Sequence, residues 1–233
     1  MRLAVIPARG GSKRILRKNI REFCGKPIIA WSIRAAFQSG CFDKVIVSTD
    51  DTEIADVART WGAEIPFLRP AELADDYTGT AAVVRHAIEW FEDRGKKFDF
   101  VCCIYATAPF VRAQDINTGL EDLFLVDADF AFTVTSFPFP IQRAVKITSK
   151  RRIEMFYPEH YTTRSQDLEE AFHDAGQFYW GKNTAWKEGA PLFSERTVPI
   201  ILPRYLVQDI DTMEDWIRAE MMFRVMINQI DEV

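Results

Sequence analysis

The stretch that most constrains this chain is its first passage from apolar run to basic loop. Leu3-Ala4-Val5-Ile6-Pro7 leads into Ala8-Arg9-Gly10-Gly11-Ser12-Lys13-Arg14. The short apolar run, closed by Pro7, reads as a buried strand. Gly10 and Gly11 carry no Cβ, so the backbone can turn freely and bring its amides close to a ligand. Arg9, Ser12, Lys13, Arg14, Arg17 and Lys18 crowd the same loop. Exposed amides ringed by fixed cations can cradle a polyphosphate. The loop lacks the glycine-lysine-serine ending of a P-loop and the G-x-G-x-x-G of a dinucleotide site. Residue types alone leave a second reading open, an ordinary turn with solvated cations.

The length of 233 residues allows one domain with its own core, with room for a small appendage. The net charge of −5 argues against nucleic acid as the main partner and makes the basic loop a local feature. No apolar run is long enough to span a bilayer, and the one before Arg9 is too short for a signal peptide. Cys24, Cys41, Cys102 and Cys103 show neither zinc spacing nor C-x-x-C. These features lead us to expect a cytoplasmic protein with no membrane partner.

Beyond the loop, the pattern predicts a helix over 27–37 ending at Gly40, a strand over 44–50 and a helix from 52 to 58, with Asp50 read as its cap in preference to a carboxylate facing the bound ligand. A short strand is expected over 64–68. A polar loop over 69–80 precedes a helix over 81–94, and strands follow at 98–105 and 129–135, separated by a helix over 115–126. This alternation predicts an α/β fold, a mostly parallel sheet with helices on both faces. Phe137-Pro138-Phe139-Pro140 breaks the pattern. Segments 144–148 and 153–157 then read as a hairpin with much apolar surface. Residues 137–175 are therefore expected to form an inserted β-rich arm, with 1–136 and 176–233 making the main domain. The apolar arm reads either as a dimer contact or as a β appendage packed on its own sheet. The last helix carries Trp216, Ile217, Met221 and Val225.

Val207-Gln208-Asp209-Ile210-Asp211-Thr212 precedes that helix. Residues two apart on an extended chain point the same way, so Asp209 and Asp211 can face one hard cation such as Mg2+. A capping role for Asp211 or Thr212 is compatible with this. The sequence marks no general base.

Ile6-Pro7-Ala8-Arg9-Gly10-Gly11-Ser12-Lys13 and Lys18-Asn19-Ile20 resemble the opening signature of the acylneuraminate (nonulosonic acid) cytidylyltransferases. Leu16 stands where that family usually has proline. Arg69-Pro70-Ala71-Glu72-Leu73-Ala74, Ala171-Phe172-His173-Asp174-Ala175-Gly176-Gln177-Phe178-Tyr179 and Asp209-Ile210-Asp211-Thr212 extend the resemblance along the whole chain. It implies a Rossmann-like nucleotidyltransferase fold, a homodimer built by the arm, and Mg2+ as cofactor. It also implies transfer of CMP from CTP to a nine-carbon acidic sugar, with release of pyrophosphate, for bacterial surface or flagellar glycosylation. Ala8, Arg9, Gly10, Gly11, Ser12, Lys13, Asn19, Arg69 and Thr80 would bind the nucleotide. Arg9, Lys13, Lys18 and Asp211 would serve catalysis, and Asp209 and Asp211 the metal.

Tyr105, Arg164, His173 and Gln177 would bind the sugar. Sialic-acid members tend to have glutamine at Tyr105 and arginine and asparagine at His173 and Ala175. The version here is most similar to bacterial members acting on pseudaminic acid. N-acetylneuraminate or legionaminate is the alternative substrate. A non-catalytic sugar-nucleotide-binding relative is the alternative class.

Overall fold

The computed structural model describes residues 1–75 and 77–230. The apolar opening run forms β1 (Arg2–Pro7), and residues 22–27 form a two-strand corner, β2 (Glu22–Phe23) and β3 (Lys26–Pro27). α1 (Ile28–Ser39), β4 (Lys44–Ser48) and α2 (Thr52–Thr60) follow. Next come α3 (Thr80–Glu92), β5 (Phe100–Ile104), α4 (Ala113–Leu125) and β6 (Phe130–Ser136). The hairpin β7 (Val145–Ile147) and β8 (Ile153–Met155) stands apart. β9 (Phe172–Lys182), α5 (Asn183–Glu188), β10 (Thr197–Ile201) and α6 (Met213–Ile230) complete the chain.

Six strands form one sheet in the order β10-β6-β9-β5-β1-β4. All neighbours are parallel except β9, which runs antiparallel to both β5 and β6. Period-two alternation sorts β1 between two cores. Ala4 and Ile6 pack with Ile29 and Ile33 of α1, Ile54 of α2 and Ile116 of α4. Leu3 and Val5 pack with Val84 and Ile88 of α3 and Trp186 of α5. Each buried aliphatic side chain contributes about 1.5–3 kcal/mol, which makes this two-faced burial the main force holding the layers. The expected α/β architecture with helices on both faces is therefore what forms. Among the described residues no helix is long and apolar enough to cross a membrane.

The structure departs from the sequence reading in several places. Residues 64–68 make only isolated bridges, Ile46 to Glu64 and Thr49 to Leu68. Pro66 between them has no N–H to donate to a ladder. Asp50 does not cap α2: Asp51 does, its carboxylate accepting from the Ile54 amide at 3.0 Å. β10 and α5 went unassigned in the sequence. Pro199 masks β10, and it is tolerated there because β10 lies at the sheet edge. Residues 172–175 of the expected arm belong to β9, since Phe172 pairs with Ser136.

Candidate active site

The basic loop leaves the carboxyl end of β1, the edge at which open α/β sheets bind ligands. Its shape is set by contacts on both sides. Ile15 is buried against Phe23, Ile28 and Phe110, while its neighbour Leu16 is 76% exposed. The Asn19 amide donates to the Arg9 carbonyl at 2.8 Å. The Gly10 amide donates to the Asp50 carboxylate at 3.0 Å, and the Ser12 amide to the Gly10 carbonyl at 3.0 Å. One of the amides expected to meet phosphate, that of Gly10, thus holds the loop itself, as does the Ser12 amide. Arg17, with φ of 55°, binds Asp51 and Glu53 and closes the turn.

A cleft of about 330 Å3 opens over this loop. Arg9, Arg14, Lys18 and Arg69 line it together with Thr80, Tyr105 and Asp211. Ser12 and Asn19 also line it. Ala8 is buried and donates its amide to Ser48 at 2.9 Å, so it anchors the loop from beneath. Gly10, Gly11 and Lys13 are on the loop but are not part of the cleft wall. Arg69 is buried at the cleft floor, its Nε donating to the Ser48 hydroxyl at 3.1 Å. Burial lowers its pKa to about 10, which leaves it cationic at neutral pH.

The cleft adjoins a larger open hollow of about 1050 Å3 between the ends of β6 and β9 and the start of α6. Tyr105, Thr107 and Asp211 belong to both spaces. Asp211 pairs with Arg14 at 2.9 Å and with Lys18 at 3.4 Å. Asp209 faces the hollow beside it, and burial, with the nearby Asp211 charge, pushes its carboxyl up from the usual range. The next turn is closed by a reciprocal cap: the Thr212 amide donates to Asp215 at 2.9 Å and the Asp215 amide to the Thr212 hydroxyl at 3.2 Å. This fixes the segment carrying both aspartates.

Tyr105 and His173 line the hollow. Gln177 does not: it is buried, and its amide donates to the Leu206 carbonyl at 2.6 Å. Arg164 sits on the arm, paired with Asp167 at 2.8 Å, and lines neither space within one chain. The sequence reading weighed Asp50 as a helix cap or a ligand-facing carboxylate and did not single out Thr107, Asp174 or Tyr179. Only Asp50, at the end of a strand, carried a local signal.

A cationic, glycine-turned loop beside an acid-lined hollow at the carboxyl edge defines an α/β protein built to hold a polyanion next to a second polar ligand. A family model described as Cytidylyltransferase matches residues 3–229. The chain is 46% identical over 223 residues to the pseudaminic acid cytidylyltransferase of Campylobacter jejuni subsp. jejuni serotype O:23/36, covering 96% of each chain. It is 34% identical to the CMP-N,N'-diacetyllegionaminic acid synthase of Legionella pneumophila, covering 94% of each. A solved structure of CMP:2-keto-3-deoxy-manno-octonic acid synthetase complexed with CTP shares the fold. Its TM-score is 0.69 at 16% identity, over 96% of this chain and 98% of that one. The chain belongs to the cytidylyltransferase family.

Proposed function

We propose that this protein transfers CMP from CTP to the anomeric hydroxyl of a nonulosonic acid, pseudaminic acid before any other, and releases pyrophosphate. The observation that carries the reading is the joining of the cationic cleft to the large hollow at Asp211. One space suits a triphosphate, the other a sugar, and the α-phosphorus would lie between them. The 46% identity to a pseudaminic acid cytidylyltransferase supports the choice of sugar.

The sugar hydroxyl attacks the α-phosphorus in line and gives up its proton to water, the bond from the α-phosphorus to the bridging oxygen breaks, and pyrophosphate leaves with the electron pair. Such a reaction needs positioning and charge neutralisation more than covalent help. Arg9, Lys18 and Arg69 at the cleft would bind the phosphates, with Lys13 adding charge from the loop. Tyr105 stands where the nucleotide space turns into the sugar space, and Thr80 lines the nucleotide space.

Asp209 and Asp211 fit a magnesium ion, because both carboxylates face one space and offer hard oxygen ligands once Asp211 exchanges its Arg14 and Lys18 partners for the ion. Among the described residues no third His, Cys, Asp or Glu completes a protein-only set. That suits an ion whose remaining ligands are phosphate oxygens and water. When bound, the ion would supply charge stabilisation at the phosphate oxygens. The exposed Val145, Ile147, Ile153 and Phe156 of the arm would form the contact of a homodimer, which would bring Arg164 toward the partner's hollow. A cytoplasmic location agrees with the thiols and the CTP requirement.

The test is pyrophosphate release from CTP and magnesium, with pseudaminic and N-acetylneuraminic acids supplied separately and Asp211→Ala as control. Release with pseudaminic acid that disappears in the variant supports the reading. Release with N-acetylneuraminic acid alone keeps the chemistry and rejects the sugar. No release with any nonulosonic acid moves the chain to a binding protein.

A further inference from the structure

Asp174 stands where the large hollow meets a second, smaller cavity. That cavity measures about 140 Å3 and is mostly apolar, with Ala185, Trp186, Ala190 and Leu192 in its wall. Asp174 and Tyr179 line both spaces. The position of Asp174 comes from an irregularity in β9. Phe132 of β6 pairs with Tyr179, yet Val134 pairs with Asp174, so β9 carries extra residues there. Bulges of this kind re-aim side chains beside functional sites. Gly176, at φ of +62°, makes the turn, and its amide donates to Asp174 Oδ1 at 2.8 Å.

The Tyr179 hydroxyl lies 2.8 Å from Oδ1 and 2.7 Å from Oδ2 of the same carboxylate. These contacts bring two protons to a group with roughly four acceptor sites. Among the described residues no Lys or Arg forms an ion pair with Asp174. Closing the bulge alone would not require a carboxylate, since asparagine or serine makes the same turn. A carboxylate facing a space meant for an acidic sugar is useful where it accepts a proton from that sugar. The adjoining apolar cavity indicates which proton. In a trans secondary amide the N–H and the acyl methyl lie along the same edge, opposite the carbonyl. A sugar that offers such an N–H to Asp174 therefore turns its methyl toward the apolar cavity. A hydroxyl would leave that cavity unfilled.

We propose that Asp174 is a specificity-determining residue that accepts the N–H of an acylamino group on the acidic sugar, the acyl methyl entering the apolar cavity beside it. This rests on the reading of the chain as a cytidylyltransferase of acidic sugars. Tyr179 acts as a positioning residue that holds the carboxylate between the two spaces.

The experiment compares the full-length protein with its Asp174→Asn variant on two sugars, in the pyrophosphate-release assay with CTP and magnesium. One is pseudaminic acid with its acylamino groups. The other is the analogue in which those groups are O-acyl esters, which have the methyl but no N–H. Asparagine keeps an oxygen for the Gly176 amide, so the turn survives. The kcat/KM for the amide sugar is expected to fall about 10- to 100-fold, through the sugar KM, with the CTP KM unchanged. The ester analogue is expected to change less than about threefold. Equal losses on both sugars, or no loss on either, would overturn the proposal. If the asparagine variant does not fold, Ala190→Leu fills the apolar cavity instead. It should impair the N-acylated sugar and spare the sugar with free amines, and equal impairment would count against the proposal. Wild-type failure on every acidic sugar would overturn the functional reading and this inference with it, a result distinct from equal losses in the variant.

Discussion

The Gly10 amide donates to the Asp50 carboxylate at 3.0 Å, which ties the turn of the basic loop to the segment just past β4. The same glycine is pressed against the next residue: a Cβ built on Gly10 would stand 2.7 Å from Asp51 Oδ2. Asp51 cannot give way easily, because it accepts from Arg17 and also caps α2.

Gly10→Ala should therefore displace the loop rather than the aspartate. We expect a loss of about 1–3 kcal/mol in urea unfolding, the usual cost of forcing a methyl into a filled space. The KM for CTP should rise at least tenfold, since Arg9 would move with the turn. Unchanged stability and unchanged KM would show that the loop relaxes around the methyl.

The Arg17–Asp51 contact makes part of the stability dependent on pH. The Arg17 hydrogen bond, assisted by the Ile54 amide, holds the Asp51 carboxyl at about 2, against 3.8 for the free group. A depressed folded-state pKa gives stability that is complete above about pH 4 and is lost as pH falls toward 2. Both side chains are partly exposed, so about 1–2 kcal/mol is the expected size after solvent screening. Asp51→Asn, which retains a capping oxygen, should flatten the fall in stability between pH 4 and 2. Denaturant unfolding at several pH values would measure it, and parallel acid limbs in both proteins would reject the assignment.

Arg69 is a buried cation with no carboxylate bonded to it among the described residues; its Nε bonds Ser48. A lysine would keep the charge but lose the planar fork that matches a phosphate. We expect Arg69→Lys to raise the KM for CTP about tenfold while kcat falls less. Calorimetric titration of CTP onto the two proteins would give the affinities directly. Equal affinities would assign Arg69 to holding the end of β4 only.

Asp211 pairs with Arg14 and Lys18. Asp211→Asn should release these cations, so CTP should bind more tightly in the absence of magnesium. In its presence, pyrophosphate release should fall about 10²- to 10³-fold, the scale of losing one preorganised electrostatic group. A variant that binds CTP as the wild type does with and without magnesium would remove Asp211 from the metal and phosphate site.

The amino-acid sequence by itself determined the alternating layers, the basic loop after β1 and the paired aspartates before α6. Each is a local pattern: an apolar period, a glycine pair among cations, two acids two residues apart. The hairpin at 145–155 was equally legible, because both its strands and its turn lie within one short segment.

Tertiary structure decided what depends on distant pairing. No local signal shows that β9 returns antiparallel between β5 and β6 and bulges at 174–178, so the side chains of Gln177 and Asp174 are placed by that irregular register and not by their neighbours in sequence. Gln177, expected in the sugar pocket, turns into the core to meet Leu206, while Asp174 faces the hollow. Likewise Asp50 reads as a helix cap in one dimension, but it meets Gly10 because β1 and β4 are paired in parallel register. The chain sequence supplies the charges, and long-range strand pairing sets which of them share a space.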